Sequence, residues 1–151
     1  MLNRREFIRN GAAGSAALLA GNTHAADGKS PAAFTLAIAS YTFRAFDLGQ
    51  TLEYTRRLGM SHIAFKSMHL PLDSSKAAIK AAIDTTKAAG IHCYGCGVVY
   101  MNSKQEVEQA FEYAKTAGMQ TIIGVPKPEL LPLVSDKTAE YNIRVAIHNH
   151  G

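Results

Sequence analysis

The sequence predicts an α/β fold, the amino-terminal half of a (β/α)8 (TIM) barrel with the order βαβαβαβαβ. Three observations carry this expectation. Similar segments recur at Arg-Arg-Leu-Gly-Met (56–60), Lys-Ala-Ala-Gly-Ile (87–91) and Lys-Thr-Ala-Gly-Met (115–119). Each ends a helical pattern on a glycine that can terminate a helix in the left-handed region, and each then starts an apolar strand. Asn142 before Ile143 is a fourth stop of the same kind, and the stops are 31, 28 and 24 residues apart, the length of one β/α unit.

The elements follow in order. Strands are expected at Thr35–Tyr41, His62–Lys66, His92–Val99, Gln120–Val125 and Arg144–His148. Asp47 can cap a helix carrying Leu52 and Thr55. Asp73 or Ser74 can cap one carrying Ile79, Ala82, Ile83 and Thr86. Ser103 with Glu106 forms a Ser-x-x-Glu capping box, followed by Val107, Ala110, Phe111 and Ala114 at helical spacing. Pro128 suits the first turn of a last helix running to about Tyr141, with Pro132 breaking or delaying it. Strict β/α alternation gives a parallel sheet, either open and doubly wound or closed as a barrel. No Gly-x-Gly-x-x-Gly follows the first strand, which argues against a dinucleotide site. In the fifth strand Ile143, Val145 and Ile147 share a bulky apolar face suited to a helix layer. Arg144, Ala146 and His148 share a mixed face suited to a barrel lumen. A whole barrel takes about 250 residues, so these 151 residues read as a fragment or truncated product of a longer protein.

The first residues read as an address. Arg4-Arg5 and Phe7-Ile8-Arg9 precede an Ala-, Gly- and Leu-rich stretch and the small residues Thr23, Ala25 and Ala26. That order matches a twin-arginine export signal over residues 1–26, with residues 27–33 as linker and 34–151 as the barrel half. The expected partner is the twin-arginine export machinery, and the expected location is the periplasm, or the membrane if an uncleaved signal anchors the chain. No apolar run reaches the 18 or so residues of a membrane span. The formal charge of +4 is partly local to the signal, since Arg4, Arg5 and Arg9 against Glu6 leave 13 basic and 11 acidic residues elsewhere. No basic face for nucleic acid is visible. Cys93 and Cys96 make one Cys-Tyr-Gly-Cys pair in an apolar strand. Zinc centres usually need two such pairs, so core packing is expected, with residues three apart on opposite faces.

Active sites of such barrels lie at the carboxyl ends of the strands. That rule selects Tyr41 and Arg44, Lys66 and His69, Tyr100, Pro126 and Lys127, and His148, Asn149 and His150. His148 and His150 lie two apart, so they can face one metal or one substrate. Lys66 alternates with His62 and Ala64 toward the barrel mouth, where its ammonium could hold a carbonyl oxygen, an enediolate or a carboxylate. His62 and His92 open their strands, at the end associated with stability.

These residues bring a family into view. Ser-Tyr-Thr-Phe-Arg (40–44), Phe-Lys-Ser-Met-His-Leu-Pro-Leu-Asp (65–73), Gly-Val-Pro-Lys-Pro-Glu-Leu-Leu-Pro (124–132) and Ala-Ile-His-Asn-His-Gly (146–151) resemble the sugar phosphate isomerase/epimerase group of xylose isomerase-like barrels. The resemblance covers about residues 34–151. It implies a barrel that binds a carbohydrate or keto-sugar and uses a divalent metal (Mn, Mg, Zn or Co) for metal-assisted proton transfer. On this reading Lys66 and His148 are catalytic, and Tyr41, Arg44, His69 and Asn149 bind substrate. His148 and His150 ligate the metal, and a homo-oligomer is possible. Related barrels often place a glutamate ligand where this chain has histidines. Alternatives on the same scaffold are a keto-glycoside lyase or hydratase and a non-catalytic sugar-binding barrel. Endonuclease-type relatives are disfavoured by export and weak basicity.

Overall fold

A computed structural model describes residues 34–149. The segment expected to be an export signal, the expected linker up to residue 33 and His150 lie outside the described residues. Five strands form one parallel sheet: β1 Ile38–Ala39, β2 His62–Phe65, β3 His92–Met101, β4 Thr121–Pro126 and β5 Arg144–Ile147. Their spatial order is their chain order. A doubly wound sheet would reverse that order at a switch point, and there is no reversal among the described strands. Four α-helices alternate with them: α1 Leu48–Arg57, α2 Lys76–Ala88, α3 Lys104–Ala117 and α4 Leu131–Tyr141. Helix α3 packs on α2 and on α4, so these three form one layer on one face of the sheet. The core lies between the layers. Ile63 and Phe65 of β2 and Ile122 of β4 meet Ile79 and Ile83 of α2 and Val107, Ala110, Phe111 and Ala114 of α3.

Local chemistry explains the boundaries. Asp47 accepts the Gln50 amide at 2.8 Å while the Gln50 side chain accepts the Asp47 amide, a complete capping box. Ser103 caps α3 through the Glu106 amide at 3.2 Å. The Glu106 carboxylate reaches back one residue further than a standard box, to the Asn102 amide. The cap of α2 is Ser75, one or two residues after the expected Asp73 or Ser74. Gly59, Gly90 and Gly118 take φ of 71°, 74° and 66°, and Asn142 takes 53°, so all four anticipated stops are left-handed. Pro128 opens a 3-10 turn (Pro128–Leu130), and α4 starts only at Leu131. Pro132 sits in its first turn, where a missing N–H leaves no bond unmade.

Two strands depart from expectation. β1 is a pair of residues in place of the seven expected, because Ser40–Phe43 turns into a 3-10 helix. The Ser40 hydroxyl, 2.8 Å from the Lys66 amide, takes the place of the next ladder carbonyl and ends the pairing. β3 carries two register irregularities, at Tyr94 and at Val98, where the partner strands have no extra residue. The irregularity at Tyr94 resets the alternation between Cys93 and Cys96. Both thiols are therefore buried, although residues three apart on a regular strand face opposite sides.

The opposite face of the sheet is more open among the described residues. Thr121, Ile123 and Val125 of β4 are half-buried there, and Arg144 and Ala146 of β5 are exposed. The parity expected for β5 holds in part. Ile143 is buried and Val145 packs against the helix-side core, but Ile147 is 59% exposed.

Candidate functional site

Ser40, Lys66, Lys127 and His148 directly follow β1, β2, β4 and β5, and Val98 lies in the carboxyl-terminal half of β3. Lys66 follows Phe65, which points into the core, so its side chain leaves on the open face. It is half-buried, with Nζ 3.4 Å from the Val98 carbonyl of β3. An ammonium has three donors, and among the described residues Lys66 has no acidic partner. Its backbone amide is held by Ser40 across the sheet.

The spacing Lys66-x-x-His69 has a structural reason. The Lys66 carbonyl accepts the His69 amide at 3.0 Å and the Leu70 amide at 3.2 Å, closing a turn that sends His69 back beneath the end of β1. There His69 is 8% exposed. Its Nδ1 is 3.0 Å from Ser40 Oγ, and its Nε2 is 3.0 Å from Thr51 Oγ1 and 3.1 Å from the Phe46 carbonyl. A carbonyl only accepts, so Nε2 carries the proton. Nδ1 then accepts from the Ser40 hydroxyl, which itself accepts the Lys66 amide. Every polar atom in this knot has a partner. His69, expected to bind substrate, here ties the end of β1, the loop before α1 and the end of β2 together.

Tyr41 and Arg44 both lie in or just after the 3-10 turn and are exposed. The Arg44 guanidinium sits 5.1 Å from the Tyr41 ring centroid, a cation–π contact on the exposed surface. His148 follows β5 and is half-buried, its amide bonded to the Gly124 carbonyl at 2.9 Å. Asn149 is exposed. Lys66 and His148 are not neighbours: β3 and β4 lie between them, three strand spacings or about 14 Å along the sheet. Tyr100, Pro126 and Lys127 end β3 and β4 as expected, with the Lys127 amide bonded to the Met101 carbonyl.

Beside these strand ends, a cavity of about 260 Å³ opens between β2, β3 and α3. Phe65, Leu70, Cys96 and Tyr113 line it. The Tyr113 hydroxyl donates to the Leu70 carbonyl at 2.9 Å, and burial pushes its pKa above the usual phenol range. Burial also pushes both thiols up to about 12, which keeps them protonated and unreactive at neutral pH. The Gly97–Val98 peptide is cis. Among the described residues no three His, Cys, Asp or Glu side chains gather as a metal would require. They do not make up a divalent-metal centre; His148 offers one imidazole.

Sequence reasoning missed Ser40, Thr51 and the Val98 carbonyl. Ser40 opens the segment 40–44 but was not singled out there, because its role depends on β1 and β2 pairing. Thr51 had a faint signal, a polar residue on the buried face of an amphipathic helix.

Fold and strand-end site together define an α/β protein with a sequentially ordered parallel sheet and a cationic, polar edge at its carboxyl-terminal end. Among solved structures, that of an uncharacterised protein from Parabacteroides distasonis is similar, with a TM-score of 0.71 at 24% identity, over 78% of this chain and 53% of that one. The chain spans about half the length of that protein, and the likeness is one of fold. No family model and no curated protein matches the chain.

Proposed function

We propose that the protein acts on a carbohydrate or keto-sugar by moving a proton at the carbon beside a carbonyl. The site would be the mouth of a (β/α)8 barrel whose first four units and fifth strand are described here. The observation that carries this reading is Lys66. It is a half-buried ammonium at the carboxyl end of an inner strand, with the Val98 carbonyl as a partner and no acidic partner among the described residues. Such a group is available to a developing enediolate oxygen, and in a site shielded from water that attraction is large. The knot of Ser40, His69 and Thr51 fixes the backbone from which Lys66 projects. The sequential strand order and the resemblance of the strand-end segments to sugar isomerases and epimerases support the same reading. His148, on β5, is the candidate to carry the proton or to ligate a metal together with His150. No step is assigned to a metal, since the described residues do not form a centre for one.

The test uses solvent exchange. The full protein is incubated with aldoses, ketoses and their oxidised forms in deuterated water, with Mg, Mn, Zn or Co present, and proton NMR follows loss of the signal beside the carbonyl. Exchange is expected. Lys66→Ala should slow it by about 100- to 1000-fold, the range for removing one oxyanion donor. His148→Ala should slow it by about tenfold or more and lower bound metal if it is a ligand. Exchange that persists at full rate in both variants would show that these residues do not carry the chemistry.

A further inference from the structure

The cavity beside the strand ends adjoins Lys66 at a place where the sheet is incomplete. β2 pairs with β3 as far as Phe65 and Cys96, and β3 then runs on from Gly97 to Met101. Over that stretch, among the described strands, β3 pairs with β4 alone. The cavity occupies the gap left beside it. Val98 and Tyr100 border it from β3, and Ser67, Leu70 and Leu72 border it from the segment after β2. The Val98 carbonyl is also the partner of the Lys66 ammonium, at 3.4 Å. One residue therefore touches both the cavity and the charge, and no strand separates the two.

The chemistry of the wall selects the occupant. No charged side chain lines the cavity. Phe65, Leu70 and Cys96 are buried in its wall, and the Tyr113 hydroxyl is already spent on the Leu70 carbonyl. Such side chains offer little to the several hydroxyls of a sugar, whose burial without partners is costly. They suit an aromatic ring: two aromatic side chains present edges and faces to it, and a thiol sulfur is a soft neighbour. An apolar cavity of about 150 Å³ accepts benzene, so about 260 Å³ has room for one ring and its link to a larger molecule. Ser67 and Tyr100 on the border are exposed, which leaves the ring a way in from solvent.

We propose that this cavity seats a single aromatic ring carried by the sugar that binds at Lys66, so that the ligands of the site are aryl glycosides. Taking the sugar as a substrate rests on the proton-transfer reading; the seat for the ring does not.

The probes are the 4-fluorophenyl and methyl glycosides of glucose, galactose and glucuronic acid, titrated into the full protein and followed by NMR. At least one 4-fluorophenyl glycoside should bind about 10- to 100-fold more tightly than its methyl counterpart, the scale for burying one ring. In the unmodified protein its ring protons should show Overhauser contacts with the methyls of Leu70 and Leu72 and with the Tyr113 ring, a readout that needs no variant to fold. Leu72→Trp, which places an indole in the cavity, should bring the aryl-to-methyl ratio of affinities close to one. Lys66→Ala should weaken the glycosides while 4-fluorophenol alone keeps its contacts. Equal affinity for aryl and methyl glycosides, ring contacts elsewhere, or a preference that survives Leu72→Trp would overturn the proposal, whatever the exchange assay shows. Ring contacts in the cavity without any proton exchange would support the seat and count against the proton-transfer reading alone.

Discussion

His69 shows how much a single residue can be redirected by what surrounds it. In isolation, a histidine three residues after a strand-end lysine looks like a ligand for substrate. In place, its two ring nitrogens meet a serine hydroxyl, a threonine hydroxyl and a backbone carbonyl, and little of it reaches solvent. Removing the ring strands the Ser40 hydroxyl and the Phe46 carbonyl. A buried group left without its partner costs about 1–3 kcal/mol. His69→Ala should therefore lower the denaturant midpoint by an amount corresponding to about 1–3 kcal/mol. Any loss of activity should follow the loss of folded protein. A variant of unchanged stability that nonetheless loses substrate affinity would show that His69 also binds substrate.

The elements are set by short-range chemistry at their ends and by close backbone approach in the middle of the sheet. The capping box of Asp47 and Gln50 holds the start of α1, from which Thr51 reaches His69. Buried Thr55 and Thr86 satisfy their hydroxyls on the carbonyls four residues back, which lets polar residues sit on a buried helix face. β3 depends on glycine. A Cβ on Gly95 would lie 2.5 Å from the Thr121 carbonyl oxygen, part of the β4 backbone. A Cβ on Gly124 would instead meet the Met101 methyl at 2.7 Å, the far end of a flexible side chain. Gly95→Ala should thus destabilise the protein by about 1–3 kcal/mol or more through forced backbone movement, and Gly124→Ala by less. Chemical unfolding of both variants decides this. Equal losses would mean that β3 and β4 part more easily than their register suggests.

At the scale of the whole molecule, the described sheet has two edges. β1 pairs only with β2, and β5 only with β4. Near one edge Leu36 is 61% exposed, and at the other Ile147 is 59% exposed. Unpaired strand edges beside exposed apolar side chains recruit partners. The chain of 151 residues, expressed by itself, should self-associate, as sedimentation at increasing concentration would reveal. Ile147→Lys should reduce that association, because a charge on the edge strand opposes pairing. A monomer with a sharp, concentration-independent unfolding transition would show that the edges are already satisfied.

The repeat of helix stop and apolar strand was enough to order the five strands and four α-helices, because glycine stops, caps and apolar periodicity are local properties of the chain. The strand-end rule likewise selected Lys66 and His148 as candidates, and both directly follow strands, β2 and β5. Where the sequence fell short, the deciding contact was between distant residues. β1 ends early because Ser40 meets Lys66, 26 positions away. Cys93 and Cys96 are both buried because β3 has an extra residue opposite β2, which no alternation within β3 itself could reveal. The contact between the His62 and His92 rings arises from their register on neighbouring strands, although they lie 30 positions apart in the chain. Sequence periodicity determined which residues form elements and which ends they occupy. Only tertiary structure decided which side chains meet, because strand pairing joins residues whose separation along the chain carries no signal of their contact.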